Sequence, residues 1–374
     1  MRIIYVINSL AIGGAEFSLL KLVNKLKSNN ELIIISLLNN SSYISENIEK
    51  EGVKVICLGL NYKNFIIKFF KLIGIFRKEK PDIVHTWLYM SDLIGGICAK
   101  IALVPRIYWG IHNTYLHRDK VPFLTRFVVN LNGFLSYFIP NKVISCSHLA
   151  IDIHRKKRYN KNKFIFIPNG VDLDDANFYK KIDNSKLISE LGIKEDDFVI
   201  GYIARYDVLK NHKGFLLACQ KISKYHLNRN FKILLVGEGV KSENKEIQDL
   251  LIKYDLLENV ILLGYRSDVS RIINILDISV LFSWGEAFPN VIIESMIYSK
   301  PVLASDVGDC KFIIGDCGSI VESGNTEALA QELSNYINMD KNSLKELGEK
   351  AKNRVLTHFT MDIVAQNHLD CYYL

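Results

Sequence analysis

Short apolar runs alternate along this chain with longer stretches whose apolar residues recur at helical spacing. Seven runs fall in the first half: RIIYVI from Arg2, LIIISL from Leu32, KVICL from Lys54, DIVHT from Asp82, IYWGI from Ile107, KVISC from Lys142 and FIFI from Phe164. Six more follow: FVIGYI from Phe198, FKILLV from Phe231, NVILL from Asn259, DISVL from Asp277, PVLA from Pro301 and SIV from Ser319. Such runs, with helical stretches between them, predict parallel strands covered by helices on both faces. A polar break over residues 172–195 separates the two series. It predicts two α/β domains with a ligand cleft between them and a boundary near residue 180. Residues 357–374 read as one more helix.

At 374 residues and 49% hydrophobic content, the chain can bury a core in each domain. Its first residues, MRIIYVI, enter a strand-like run directly and predict no secretory leader. The longest uncharged stretch near an apolar segment, 127–141, is too short and too polar to span a bilayer. The seven cysteines are scattered, with no pair two or three residues apart. That argues against a disulfide framework or a zinc site and points to a reducing, cytoplasmic compartment. Charge is divided unevenly: residues 1–180 hold 25 Lys and Arg against 13 Asp and Glu, and the remainder 22 against 27. A basic first half implies an anionic partner; nucleic acid, an anionic lipid surface and a phosphorylated acceptor all fit.

The richest chemistry lies in residues 283–309, SWGEAFPNVIIESMIYSKPVLASDVGD. Glu286 follows the DISVL strand, where open α/β sheets bind ligands. Pro289 suits the first turn of the next helix, and Glu294 falls inside that helix. Free backbone N–H groups at the helix start, near Phe288 to Val291, make it a phosphate site. In GYIARYDVLKNHKGF, Arg205 and Lys210 can neutralise charge growing on a diphosphate leaving group, with Lys213 a rival for Lys210. Gly13 and Gly14, in NSLAIGGAE, permit close backbone approach to a ligand, but their spacing is not the dinucleotide fingerprint and no NAD is inferred. His112 ends the YWGIHNT strand; His85, in IVHTWLY, reads as structural. Asp172 and Asp174 follow a Pro-Asn-Gly turn at the domain boundary and are not a metal motif.

The 283–309 segment resembles the signature of glycosyltransferase family 4: two glutamates with seven residues between them, Phe-Pro-Asn in that interval, then Pro-Val and Asp-Val-Gly. ISCSHLA around Ser147 and IPNGVD from Ile167 are similar to family segments, so the resemblance extends over nearly the whole chain. It implies the GT-B fold, two Rossmann-like doubly wound domains around a cleft. Residues 1–180 would bind acceptor and 181–356 nucleotide-sugar, with 357–374 a helix returning to the first domain. The implied activity is retaining transfer from a nucleotide-diphosphate sugar, by inclination a UDP-sugar, to a lipid-linked or polysaccharide acceptor of bacterial surface glycans. His112 and Glu286 would be catalytic. Gly13, Gly14, Arg205, Lys210, Phe288, Pro289, Asn290 and Glu294 would bind the donor, with Glu294 on the ribose and Tyr265 or Arg266 bordering the base. Neither a cofactor, a metal nor nucleic acid is expected. A sugar-nucleotide epimerase and a nucleotide-binding module without turnover are the alternatives.

Two segments bear on the acceptor. Residues 61–80, NYKNFIIKFFKLIGIFRKEK, put Phe65, Phe69, Leu72 and Phe76 on one helical face among six lysines and arginines. They fit either an anionic bilayer or a helix packed on the sheet. Residues 121–140 are aromatic and apolar and would add to a lipid-facing patch, making the protein peripheral on the inner face of the cell membrane.

Overall fold

A computed structural model describes residues 1–373 apart from 12, 39–42, 115–121, 175–181, 223, 224 and 226. The chain divides into two compact units, Met1–Gly170 with Met361–Leu374, and Val171–Thr360. The division falls ahead of the expected position near 180, which lies outside the described residues.

The first unit carries a parallel sheet of β1 (Arg2–Ile7), β2 (Glu31–Ser36), β3 (Lys54–Cys57), β4 (Ile83–Trp87), β5 (Arg106–Ile111), β6 (Lys142–Ser145) and β7 (Phe164–Phe166). Their order is β3-β2-β1-β4-β5-β6-β7. The second unit carries β8 (Phe198–Ile203), β9 (Phe231–Val236), β10 (Val260–Leu262), β11 (Ile278–Leu281), β12 (Val302–Ser305) and β13 (Gly318–Val321), also parallel, in the order β10-β9-β8-β11-β12-β13. Every apolar run picked from the sequence is one of these strands. The reason is visible in β1, where Ile4 and Val6 enter one core cluster while Ile3, Tyr5 and Ile7 enter another. With helices on both faces, every position of the strand is buried, and each large side chain so buried contributes about 1.5–3 kcal/mol.

The order reverses between β1 and β4 in the first sheet and between β8 and β11 in the second. At such switch points the connections leave in opposite directions and open a crevice at the carboxyl ends of the strands.

The terminal helix is Met361–Tyr373, since residues 357 and 358 end the preceding helix, Lys341–His358. It belongs to the first unit. Arg106 Nη1 donates to the Tyr372 carbonyl at 2.6 Å, the Tyr108 hydroxyl to the Cys371 carbonyl at 3.0 Å, and Lys25 pairs with Asp362 at 3.1 Å. His85 Nδ1 lies 2.7 Å from the Tyr372 hydroxyl, so His85 is structural as read, with a partner that the sequence did not suggest.

The stripe Phe65, Phe69, Leu72 and Phe76 divides differently from the bilayer expectation. On the helix Phe65–Glu79, Leu72, Ile73 and Phe76 are buried and Phe69 packs against the same core, while Ile66, Ile67 and Phe70 face solvent. Phe69, Leu72 and Phe76 of the predicted stripe therefore form the sheet-packing face, Phe65 at its start is exposed, and a second apolar set lies outside it. On the helix Phe123–Leu135, Val128 and Val129 are buried, and Phe123, Leu124, Phe127 and Phe134 are exposed. Among the described residues no helix is long and apolar enough to cross a membrane. All seven cysteines are free, and all but Cys57 are buried.

Candidate active site

At the second switch point two loops meet. After β8 the chain passes Arg205 and forms a single 3-10 turn, Val208–Lys210, capped by Asp207, whose carboxylate accepts from the Leu209 N–H at 2.8 Å. The Tyr202 hydroxyl donates to the Lys210 carbonyl. After β11 the Trp284 N–H donates to the Leu209 carbonyl at 2.7 Å, fastening the second loop to the first. The Ser283 carbonyl accepts from Ser305 Oγ at 2.8 Å and Ser323 Oγ at 3.1 Å.

This frame brings Lys210 Nζ to 2.6 Å from Glu286 Oε1, with side-chain exposures of 23% and 10%. Ser283 Oγ donates to the same oxygen at 2.6 Å. The residues lie far apart in sequence, and adjacency of β8 and β11 unites them. Lys213 is exposed on the helix His212–Ile222, so Lys210 is the lysine at the carboxylate. Arg205 is 62% exposed and only 3.7 Å from Asp207, an ion pair too loose to commit its guanidinium. Glu294 is half-buried within the helix Asn290–Met296.

Three expected donor contacts are modified. Phe288 is buried and edge-on to Phe359 at 5.8 Å, so its side chain supports the loop and only its backbone is left for a ligand. Pro289 is the N-cap, not a first-turn residue, and supplies no side-chain cap. Arg266 makes a two-pronged ion pair with Asp268 at 2.7 and 2.6 Å, which holds that carboxyl below its usual range and commits the arginine; Tyr265 is half-exposed. Asp172 accepts from the Asp174 N–H at 3.0 Å, a local turn contact. No group of three or more His, Cys, Asp or Glu able to hold a metal occurs among the described residues.

Sequence reasoning missed Ser283 and Gly308. A polar residue directly after a strand was the available signal for the first. Gly308 has φ +56, and a Cβ there would stand 2.5 Å from the Glu286 carbonyl oxygen and 2.7 Å from that of Ala287. The Asp309 N–H also donates to the Ala287 carbonyl at 3.0 Å. Gly308→Ala is therefore expected to displace the Glu286 loop, costing about 1–3 kcal/mol in a urea melt and most of the activity. An unchanged melt and rate would refute this packing role.

The first unit's candidates follow strands of its own sheet. Asn8, after β1, accepts from the Ser91 N–H at 2.9 Å and Ser91 Oγ at 2.7 Å. Gly13 is the extended N-cap of the helix Gly14–Leu26, and a Cβ on Gly14 would meet nothing within 4 Å, leaving open space. His112, just past β5, stacks on Trp87 with centroids 4.2 Å apart. The residue is partly exposed, but both ring nitrogens are buried and lack hydrogen-bond partners among the described residues. Burial lowers its pKa to about 4, so the ring is neutral near pH 7.

Residues 12–175 match the family described as Glycosyltransferase Family 4, and residues 183–354 the family described as Glycosyl transferases group 1. The chain is 24% identical over 352 residues to UDP-Gal:alpha-D-GlcNAc-diphosphoundecaprenol alpha-1,3-galactosyltransferase of Escherichia coli, covering 89% of this chain and 87% of that protein. It is 28% identical to the capsular polysaccharide biosynthesis glycosyltransferase CapM of Staphylococcus aureus, covering 79% and 77%. Among solved structures, HepE of Anabaena in complex with UDP superposes with a TM-score of 0.84 at 20% identity, covering 99% of each chain. Its fold is GT-B, and the chain belongs to the family 4 type of glycosyltransferases.

Proposed function

We propose that the enzyme transfers a hexose or N-acetylhexosamine, with retention, from a UDP-sugar to a lipid-linked or polysaccharide acceptor in bacterial surface glycan biosynthesis, working peripherally at the inner face of the membrane. The observation that carries the chemistry is the Lys210–Glu286 pair beside exposed Arg205 at the sheet's switch point. Lys210 and Arg205 bind the diphosphate and stabilise the charge that grows on it as the anomeric C–O bond breaks. Glu286 takes the sugar and Glu294 the ribose hydroxyls. The 2.6 Å contact between Lys210 and Glu286 supports this reading, since the carboxylate assigned to the sugar is a neighbour of the ammonium assigned to the diphosphate. The acceptor oxygen bonds to the anomeric carbon on the face the diphosphate leaves, and the acceptor proton passes to the departing phosphate oxygen. The neutral ring of His112 can accept one hydrogen bond and donate another, which suits sugar hydroxyls. Backbone at Asn290 completes the donor contacts of the second unit, and the open space beside Gly14 lets the first unit's loop approach a ligand.

Several observations support the substrate classes. The E. coli relative is named for UDP-Gal and a diphosphoundecaprenol acceptor. A Campylobacter jejuni relative, 24% identical over 359 residues, is named for transfer to a diphospho-undecaprenol glycan. The basic first half suits an anionic lipid surface. The test is nucleoside diphosphate release from UDP-, GDP- and ADP-sugars, with and without bacterial lipid extract, in EDTA. Extract-dependent release from a UDP-sugar, unaffected by EDTA, is expected. Interconversion of sugars without acceptor would replace this reading with epimerisation, and EDTA-sensitive turnover would refute metal independence.

A further inference from the structure

The first unit also contains a cavity of about 770 Å³ with walls that include buried Leu37 and Ile94 together with Leu60, Phe65 and Met90. The size is that of a small-ligand site, about 300–1,000 Å³. Its lining is almost wholly apolar. Ile66, 70% exposed, stands where the cavity meets solvent, and the lining also includes Asn8, which follows β1 at the switch point of the first sheet. The cavity therefore runs from the outer face of the helix Phe65–Glu79 toward the carboxyl end of the sheet. Exposed Ile67 and Phe70 continue the apolar surface beyond its mouth.

We propose that this cavity receives the hydrocarbon chain of a prenyl-diphosphate-linked acceptor, an inference that rests on the function proposed above. Apolar walls select a chain that water rejects. Charge complementarity selects its anionic head: Lys63, Lys68 and Lys71 lie in the part of the chain that supplies Tyr62, Phe65 and Ile66 to the lining, and residues 61–76 hold no acid. Lys63 lies over the Tyr62 ring, 5.6 Å from its centroid, at a residue that lines the cavity. A chain seated here points its diphosphate along the lining toward Asn8 and the strand ends.

Titration calorimetry of the intact protein with farnesyl diphosphate and with inorganic diphosphate tests the site without any sugar donor. Farnesyl diphosphate is expected to bind at least about ten-fold more tightly, since a few buried methylenes suffice for that factor. Ile66→Glu places a charge at the mouth from an exposed position that does not endanger folding, and Met90→Trp fills the cavity; each is expected to abolish the preference. Equal affinity for the two probes, or a preference surviving Ile66→Glu, overturns the proposal. A dimer in sedimentation that Ile66→Glu dissociates would assign the face to a second copy and also overturn it. Preferential farnesyl diphosphate binding without sugar transfer to any lipid diphosphate would sink the parent reading and leave the cavity assignment standing. Transfer with a KM independent of chain length would do the reverse.

Discussion

Lys210→Ala is expected to reduce turnover about 100-fold, the usual loss when one fixed donor to a developing oxyanion is removed. Lys210 is singled out because its side chain is only 23% exposed and its ammonium sits 2.6 Å from Glu286, on a turn fixed by Tyr202 from one side and Trp284 from the other. Removal also takes the cation from the Glu286 side chain, 10% exposed, a loss of about 1–3 kcal/mol once partial exposure is allowed for. Melting and turnover separate the two effects. Lys210→Arg should restore most of the stability and only part of the rate, because a planar fork cannot take the place of a compact ammonium. Lys213→Ala, on the exposed helix face, should leave both unchanged. Full turnover in a folded Lys210→Ala protein would remove the lysine from the mechanism.

The second large effect is on acid stability. Burial lowers the pKa of His112 and His154 from 6.5 to about 4, that of His368 to about 3, and that of His85 well below its ordinary value. All four lie in the first unit, whereas His212 alone, lowered to about 4, lies in the second. These rings are neutral in the fold and titrate near 6.5 once unfolded, so below pH 6.5 the unfolded chain binds more protons and stability falls with pH. Each costs at most about 1.4 kcal/mol per pH unit between 6.5 and its folded value. Buried Asp92 opposes this: its carboxyl is held well above the usual range by desolvation, so the fold gains from it as pH drops. About three histidines' worth of sensitivity remains, and the first unit is expected to melt before the second at about pH 5. His368→Phe should flatten the slope by roughly a third. A melt equally stable at neutral pH and at about pH 5 would contradict the assignment of buried neutral rings.

The strands were legible because a strand buried on both faces is apolar at consecutive positions, as Ile3 to Ile7 are. Arg205 and Glu286 stand out because they come within a few residues of such strands, whereas Lys210, seven positions beyond β8, was preferred to Lys213 through the resemblance to family 4. What one dimension hides is adjacency across the sheet: nothing near Ser283 in sequence shows that its hydroxyl holds Glu286, and nothing near Gly308 shows that its missing Cβ admits the Glu286 backbone. Helical periodicity identified an apolar stripe on residues 61–80 but could not tell which apolar face meets the sheet. The polar break at 172–195 marked the boundary late, because the crossing comes directly after Gly170, where a Cβ would stand 3.0 Å from the Met361 Cα.

The closing helix has a consequence for how this chain is made. The second unit is one continuous segment, Val171–Thr360, but the first needs Met361–Leu374 to complete it. Until that helix arrives, Tyr5, His85 and Tyr108 lack the Tyr372 and Cys371 groups that they bond in the finished protein. On the ribosome, the half synthesised first is thus the half completed last, and it must wait with an open seam while the later half can already close.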